Sequence, residues 1–346
     1  MEQQELTSEA LAKKLRCERS VVQGLLSGAV PVDDKLAGGL SKHVGGTPAF
    51  WRTRQTKYLE ALARAANAVP KERGLEWINQ FPHKDIASYG WVTPATKRDD
   101  LIKAYLAYFG VNTPDEWSSR YENSMRETAF RTSPTFTSKV GAISAWLRRG
   151  EIEANAITCA SWQPNRLRSA LEQIRTLTKA KSPSYFLPRV RKLCAEAGVA
   201  VVFVRAPTGC RASGATKFIT RNKAMVILSF RYLSDDHFWF TFFHELGHLL
   251  LHNSSMTFVD GEPGISDDLE SEANEFAADS VVPPSRRDEL MDLPASKEQI
   301  IRFAYSVGVS AGVVVGQMQH RDVINPKQMN FLKRRFNWQQ ISAAIG

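Results

Sequence analysis

Over most of this 346-residue chain, apolar positions recur every three or four residues, the period of a helix buried on one face. Ser8–Leu15 sets Ala10, Leu11 and Leu15 on one stripe. Val21, Val22, Leu25 and Leu26 form the stripe of a second helix, which stops at Ser27-Gly28. Pro31-Val32-Asp33-Asp34 opens a third helix that runs to Val44. Two short helices joined by a tight turn, with a third behind them, is helix-turn-helix spacing. Residues 71–150 continue in helical periods, with Leu101–Phe109 and Ala142–Leu147 strongly apolar. They carry no catalytic constellation, and Trp91, Trp117 and Trp146 read as core. Beyond 166 the pattern changes. Leu167–Thr176 and Ser184–Ala197 are helical, but Val199–Arg205, Ser213–Thr220 and Ala224–Phe230 are β-branched runs, with a turn at Arg221-Asn222-Lys223. These predict a small antiparallel sheet. Ser213, Gly214, Ala215 and Thr216 are its expected edge, where small side chains let an extended peptide pair by strand addition.

Phe238–Leu251 is apolar all round, which marks a buried helix. Within it stand His244, Glu245 and His248, an HExxH pattern. Positions i and i+4 share a helix face, so both imidazoles reach one metal ion. Glu245 lies one residue round, where it faces a metal-bound water as general base. A catalytic zinc site needs a third protein ligand. The HExxHxxGxxH arrangement would place a His at position 254, where Ser254 stands. His252 is on the same helix, and three His on successive turns do not surround one ion. It reads as a support for a neighbouring ligand. A second helix follows at Leu269–Ala278, with Ala273, Phe276 and Ala277 as its packable face. Glu270 and Asn274, i and i+4 on it, suit a ligand and a hydrogen-bonding support. Asp267 and Asp268 compete for the ligand role. Glu272 and Glu275 read as solvated.

The run His-Glu-Leu-Gly-His-Leu-Leu-Leu-His at 244–252, then Glu270-x-x-Ala-Asn-x-Phe-Ala-Ala and Val281-Val282-Pro283-Pro284, resembles the ImmA/IrrE family of metallopeptidases. That family has Leu-Leu where Val281-Val282 stands. The resemblance implies Zn2+ held by His244, His248 and Glu270, with Glu245 as catalytic base. It further implies regulated proteolysis, in which a partner helix-turn-helix repressor or antitoxin is cleaved or inactivated. Val313–His320 is similar to a segment that follows the peptidase core in members linked to such a domain. His320 is therefore a candidate for oxyanion stabilisation or for lining the cleft.

The N-terminal run Leu11-Ala12, Ser20-Val21-Val22, Leu26-Ser27-Gly28, Leu40-Ser41 and Gly45-Gly46-Thr47-Pro48-Ala49-Phe50-Trp51, with Gln55 and Tyr58, resembles XRE and HigA-type helix-turn-helix domains. That family has a full helix before the one carrying Leu11-Ala12, so either the domain lacks its first helix or its true start lies upstream. The resemblance implies that Arg19, Ser20 and Gln23 face the DNA major groove.

Charge adds an asymmetry to the net +9. Residues 231–290 hold thirteen acids against Arg231, Arg286 and Arg287, which suits a bound cation. Residues 179–223 hold ten Lys and Arg against Glu196 alone, a candidate surface for nucleic acid or an acidic partner. The cluster Lys333-Arg334-Arg335 reads as solvated. Cys17, Cys159, Cys194 and Cys210 are widely spaced with no CxxC pair, which excludes a disulfide scaffold and a cysteine-based zinc finger. No apolar run matches a signal peptide or a membrane span, so the expectation is a cytoplasmic protein without membrane contact.

The fold class expected is α+β and mainly helical. A helix-turn-helix-like domain spans 1–70 and a helical connecting domain spans 71–154. A small zincin-type (gluzincin-like) peptidase domain covers 155–290, and a helical region covers 291–346. The function expected is a zinc metalloendopeptidase in a regulatory pathway. The alternatives are a DNA-binding regulator or antitoxin whose peptidase fold serves as sensor, and the protease toxin of a toxin–antitoxin pair.

Overall fold

A computed structural model describes residues 8–28, 30–95, 97–122, 137–252, 258–259 and 267–345. The chain divides into two units. The first runs to Thr158 and takes in Ala206–Arg211; the second holds Cys159–Arg205 and everything from Ala212 onward.

In the first unit, α1 (Ser8–Leu15), α2 (Arg19–Ser27) and α3 (Asp34–His43) close over Ala12, Leu15, Val22, Leu36 and Leu40. Gly28, in the left-handed region at φ 74°, ends α2. Asp33 caps α3 by accepting from the Leu36 N–H at 2.7 Å. Helix α4 (Pro48–Ala68) is long and largely exposed. Then come α5 (Lys71–Ile78), α6 (His83–Ser88), α7 (Arg98–Phe109), the single turn α8 (Pro114–Trp117) and, after residue 136, α9 (Thr137–Asn155). Their core is aromatic. Phe81 stacks on Tyr105 at 4.5 Å, and Trp77, Phe109 and Trp117 meet them edge-on or tilted. Trp91, Trp117 and Trp146 are buried, as their apolar setting predicts. Among the described residues, one carboxylate enters this interior. Glu151 receives Arg148 at 3.3 Å, Arg120 at 3.2 Å and the Tyr121 hydroxyl at 3.1 Å.

The second unit begins with α10 (Pro164–Thr176) and α11 (Pro183–Ala195), which lead into β1 (Val199–Phe203). The hairpin β2 (Gly214–Thr220) and β3 (Lys223–Leu228) follows. Next are α12 (Asp235–Leu251), which carries the HExxH residues, the short β4 (Phe258–Val259) and α13 (Asp267–Val281). The chain closes with α14 (Arg287–Met291), α15 (Lys297–Val307), α16 (Ala311–His320) and α17 (Trp338–Ile345).

The sheet order is β1-β3-β2-β4. It is mixed, not antiparallel as the strand pattern suggested, because β1 pairs with β3 in parallel from Val199↔Ala224 to Phe203↔Leu228. The reason is visible in β1 itself. Val-Ala-Val-Val-Phe is buried at every position, the composition of a parallel strand covered on both faces. The hairpin returns its second arm to lie beside β1, so β2 is displaced outward. The expected free edge at Ser213–Thr216 is also corrected. Ala215 and Thr216 pair with Val259 and Phe258 of β4, and the Ser213 carbonyl accepts the Ser229 N–H at 2.9 Å.

Helix α12 lies against this sheet and against α13 and α16. Phe238, Trp239, Phe242, Phe243 and Leu246 enter one core with Phe186, Val226, Phe303 and Val314. Helices α15 and α16 bury Ile300, Phe303, Ala304, Val313, Val314 and Val315 in the same core, so residues beyond 290 complete it. Among the described residues no single helix is long and apolar enough to cross a membrane.

The start of α12 is polar yet buried. Asp235 is 0% and Asp236 6% exposed. The segment read as a solvated basic cluster meets them. Lys333 Nζ lies 2.6 Å from Asp236 Oδ2, with its side chain 7% exposed. The Arg334 N–H donates to Asp235 Oδ1 at 2.9 Å, and the Arg334 guanidinium donates to the carbonyls of Thr178 and Ala180. The hydroxyls of Ser310 and Ser234 complete the shell, donating to Asp235 and Asp236 respectively. Burial pushes the Asp235 carboxyl above the ordinary range despite its hydrogen bonds. Burial also works to raise Asp236, but hydrogen bonds from Lys333 and Ser234 outweigh it and hold that carboxyl low. Gly312 and Gly316 let α16 approach, since a Cβ at 312 would come 2.5 Å from Asp235 Oδ1. At the far end of α12, Arg168 donates to the Leu250 carbonyl at 2.9 Å, a cation where the helix leaves its carbonyls open.

Removing one partner of a buried ion pair strands the other charge. Lys333→Met should therefore lower the unfolding free energy by about 3–5 kcal/mol in urea titration. Arg335→Ala, at an exposed position, should stay within about 0.5 kcal/mol of wild type.

Candidate metal centre

Helix geometry places His244 and His248 one turn apart on α12, with their Nε2 atoms 3.0 Å from each other. Both are buried, at 3% and 2% exposure. Helix α13 brings Glu270 to them: its carboxylate oxygens lie 3.3 Å from His244 Nε2 and 3.6 Å from His248 Nε2. The close approach of the two helices depends on Gly247. A Cβ there would stand 3.2 Å from Ala273 Cα and 3.1 Å from the Phe276 ring. The small residues of the Ala-Asn-Glu-Phe-Ala run are what admit it.

His244, His248 and Glu270 are the three residues that offer ligand atoms within 4.8 Å of one another among the described residues. Their fit to an ion can be tested on the donors alone. A tetrahedral ion with bonds of about 2.0–2.1 Å sets neighbouring donors about 3.3 Å apart. Separations of 3.0, 3.3 and 3.6 Å bracket that value. Tautomers agree as well. Asn274 Oδ1 lies 3.0 Å from His244 Nδ1, and an amide oxygen only accepts, so the His244 proton sits on Nδ1. Its Nε2 lone pair then faces the centre. Two bare imidazole nitrogens 3.0 Å apart repel unless a cation lies between them. Burial, then the neighbouring His244 and His252, pushes His248 down to about 3, so its ring is neutral as a ligand must be.

Glu245 points to the sheet side of α12 and is fully buried. The Thr216 hydroxyl, on β2, lies 2.7 Å from Glu245 Oε2 and 3.1 Å from the Glu245 carbonyl. Its single proton goes to the nearer acceptor, the carboxyl oxygen. Gly214, two residues earlier, clears space for the same carboxylate, because a Cβ there would sit 2.5 Å from Glu245 Oε1. Thr216 and Gly214 thus hold the carboxylate, a role that the sequence pattern concealed behind that of a substrate edge. The only signal in the sequence was the alternation of small residues with one hydroxyl at the start of the strand.

The other expected residues fall as follows. His252, at the end of α12, has Nδ1 2.9 Å from His248 Nδ1 and is not among the three donors. Glu272 and Glu275, read as solvated, both have partners: Glu272 reaches His252, and Glu275 pairs with Arg287 and Arg321. Asp268 is exposed and outside the donor group, and the Asp267 side chain lies outside the described residues. His320 is exposed at the end of α16. Its ring is 5.4 Å from Phe240, which in turn lies 6.3 Å from the His244 ring. With Glu270, Asn274, Met291 and Arg321 it lines an open pocket of about 540 Å³ beside the donors. The side chains of Arg19, Ser20 and Gln23 lie outside the described residues, although their backbone forms part of α2. In the basic stretch 179–223, Arg191 is structural. It donates to the Val201 and Ile345 carbonyls and covers the Phe203 ring.

Comparison with known families falls on this same region. Residues 194–317 match the Peptidase_M78 family, the IrrE N-terminal-like domain. A search of curated proteins finds no match. The matched segment holds the whole sheet, α12, α13 and most of α16. It supports a metallopeptidase-type function for the second unit.

Thr216→Val keeps the shape of the side chain and removes its hydroxyl. It should lower the unfolding free energy by about 1–3 kcal/mol, the range for a buried acceptor that loses its donor. Thr216→Ser should recover most of that loss in the same chemical denaturation experiment.

Proposed function

We propose that the second unit is a zinc-dependent endopeptidase. The observation that carries this reading is the convergence of His244, His248 and Glu270 within 4.8 Å, beside a Glu245 whose carboxylate is buried and held by Thr216. Zinc held by His244, His248 and Glu270 would supply Lewis acidity, lowering the pKa of a water towards ~7. The protein's own residues do the rest. Glu245 takes the proton of the attacking water and passes it to the leaving amine. Thr216 fixes one carboxylate oxygen and thereby aims the other. Asn274 holds the His244 ring so that its Nε2 faces the centre. His320 lines the pocket with Glu270, and in this reading it hydrogen-bonds the oxyanion or lines the cleft.

The biological setting proposed is regulatory. The peptidase acts on a helix-turn-helix repressor or antitoxin, in a stress-response, mobile-element or toxin–antitoxin context. The N-terminal helices direct it to DNA or to such a partner. What supports this part is the spacing and residue pattern of 8–58 and the resemblance to ImmA/IrrE proteins. The basic residues of 179–223 offer a second candidate contact for DNA.

Three experiments separate the parts of this proposal. Metal analysis should find one zinc per wild-type chain. Glu270→Gln should bind it at least about 10-fold more weakly, and Glu245→Gln should retain it. In cells, mapping of new protein N-termini should show cleavage products that Glu245→Gln lacks. Full biological activity in Glu245→Gln would sink the catalytic reading. For the N-terminal helices, mobility-shift assays at fixed salt should show promoter binding that Arg19→Ala and Gln23→Ala weaken.

A further inference from the structure

We propose that Glu272 is a positioning residue for the metal ligand His248, acting through His252. The proposal rests on the zinc reading above. It follows from the direction in which protons must run along three side chains.

His248 turns Nε2 towards His244 and Glu270, so that nitrogen is the ligand atom. A neutral imidazole that ligates through Nε2 carries its proton on Nδ1. That N–H meets His252 Nδ1 at 2.9 Å. The His252 nitrogen must be bare to accept it, which places the His252 proton on Nε2. There Glu272 Oε2 accepts at 3.1 Å. The order carboxylate, imidazole, imidazole, metal is the only arrangement that satisfies both contacts at once. If His252 protonates Nδ1, two N–H groups face each other and the His248 ring has to turn.

Glu272 acts from an exposed position on a buried ring. Its side chain is 60% exposed, whereas that of His252 is 2% exposed. An exposed ion pair adds little stability of its own. The effect of Glu272 is on which nitrogen of a buried ring holds the proton, and that choice is passed on to a ligand. Helix α13 thus supplies one metal ligand, Glu270, and a support for each histidine ligand: Asn274 for His244 directly, and Glu272 for His248 through His252.

The test measures zinc affinity of the full-length protein by competition with a chromophoric chelator, and the visible spectrum of the cobalt-substituted protein. Glu272→Ala should bind zinc about 10-fold more weakly than wild type, as loss of an outer hydrogen-bond partner does. It should also shift the cobalt bands. Glu272→Gln, whose amide oxygen still accepts from His252, should match wild type in both. Asp268→Ala removes an exposed charge at a similar place on α13 and should change neither. Wild-type affinity in Glu272→Ala would overturn the proposal. Equal losses in the Ala and Gln variants would overturn it too, since charge and not the hydrogen bond would then be responsible. A wild type that binds no zinc would remove the metal reading itself, a result distinct from both.

Discussion

A polar group taken out of water costs free energy, several kcal/mol for an ion, unless its partners are already in place. Helix α12 carries Asp235, Asp236, His244, Glu245 and His248 into the interior, all below a tenth exposed. The architecture of the second unit answers that constraint element by element. Lys333, Arg334, Ser234 and Ser310 meet the two aspartates, Thr216 comes from β2, and Asn274, Glu270 and Glu272 come from α13. The apolar faces of the same helix then set how closely those elements approach. Gly247 admits α13, and Gly312 and Gly316 admit α16. Packing and polarity are therefore one problem here, since each glycine that permits a close contact also brings a polar partner within reach.

Among the described residues of the first unit, the deeply buried acid Glu151 is handled by the same logic on a smaller scale. Glu151 sits among aromatic rings and is met by two guanidinium groups and a phenol. Burial and the neighbouring Glu151 charge push the Tyr121 phenol well above its ordinary range, so it remains a donor throughout the physiological pH range. Arg148 also caps the Tyr108 carbonyl, at 2.8 Å, and so ties the carboxylate to the backbone of α7.

Sequence made the centre of the site legible because its spacing is local. His244 and His248 share a helix face, and Glu270 and Asn274 share another, so four side chains could be placed from two short segments. What escaped was what distance along the chain conceals. Lys333 lies almost a hundred residues from Asp236, and nothing in a basic tripeptide distinguishes a buried pair from a solvated one. Glu272 looked solvated because most of it is, and its contact is made by one carboxylate oxygen at the helix surface. The sheet was read as antiparallel because each run looked like half of a hairpin. The parallel β1–β3 pairing showed only in the unbroken burial of Val199–Phe203. Thr216 stood inside a strand that the pattern had assigned to a substrate, and its bond to Glu245 needs the third dimension.

The clasp at the head of α12 also has a meaning in time. A chain emerges from the ribosome in order, and its domains fold as their parts become available. The HExxH residues are made well before Lys333, but their helix begins with two acids whose partners include Lys333 and the Arg334 backbone. Until those residues have been made, the helix that carries the candidate centre lacks its anchor, and its aspartates stay with water. The polar shell around the head of that helix is therefore complete only once synthesis has passed residue 334.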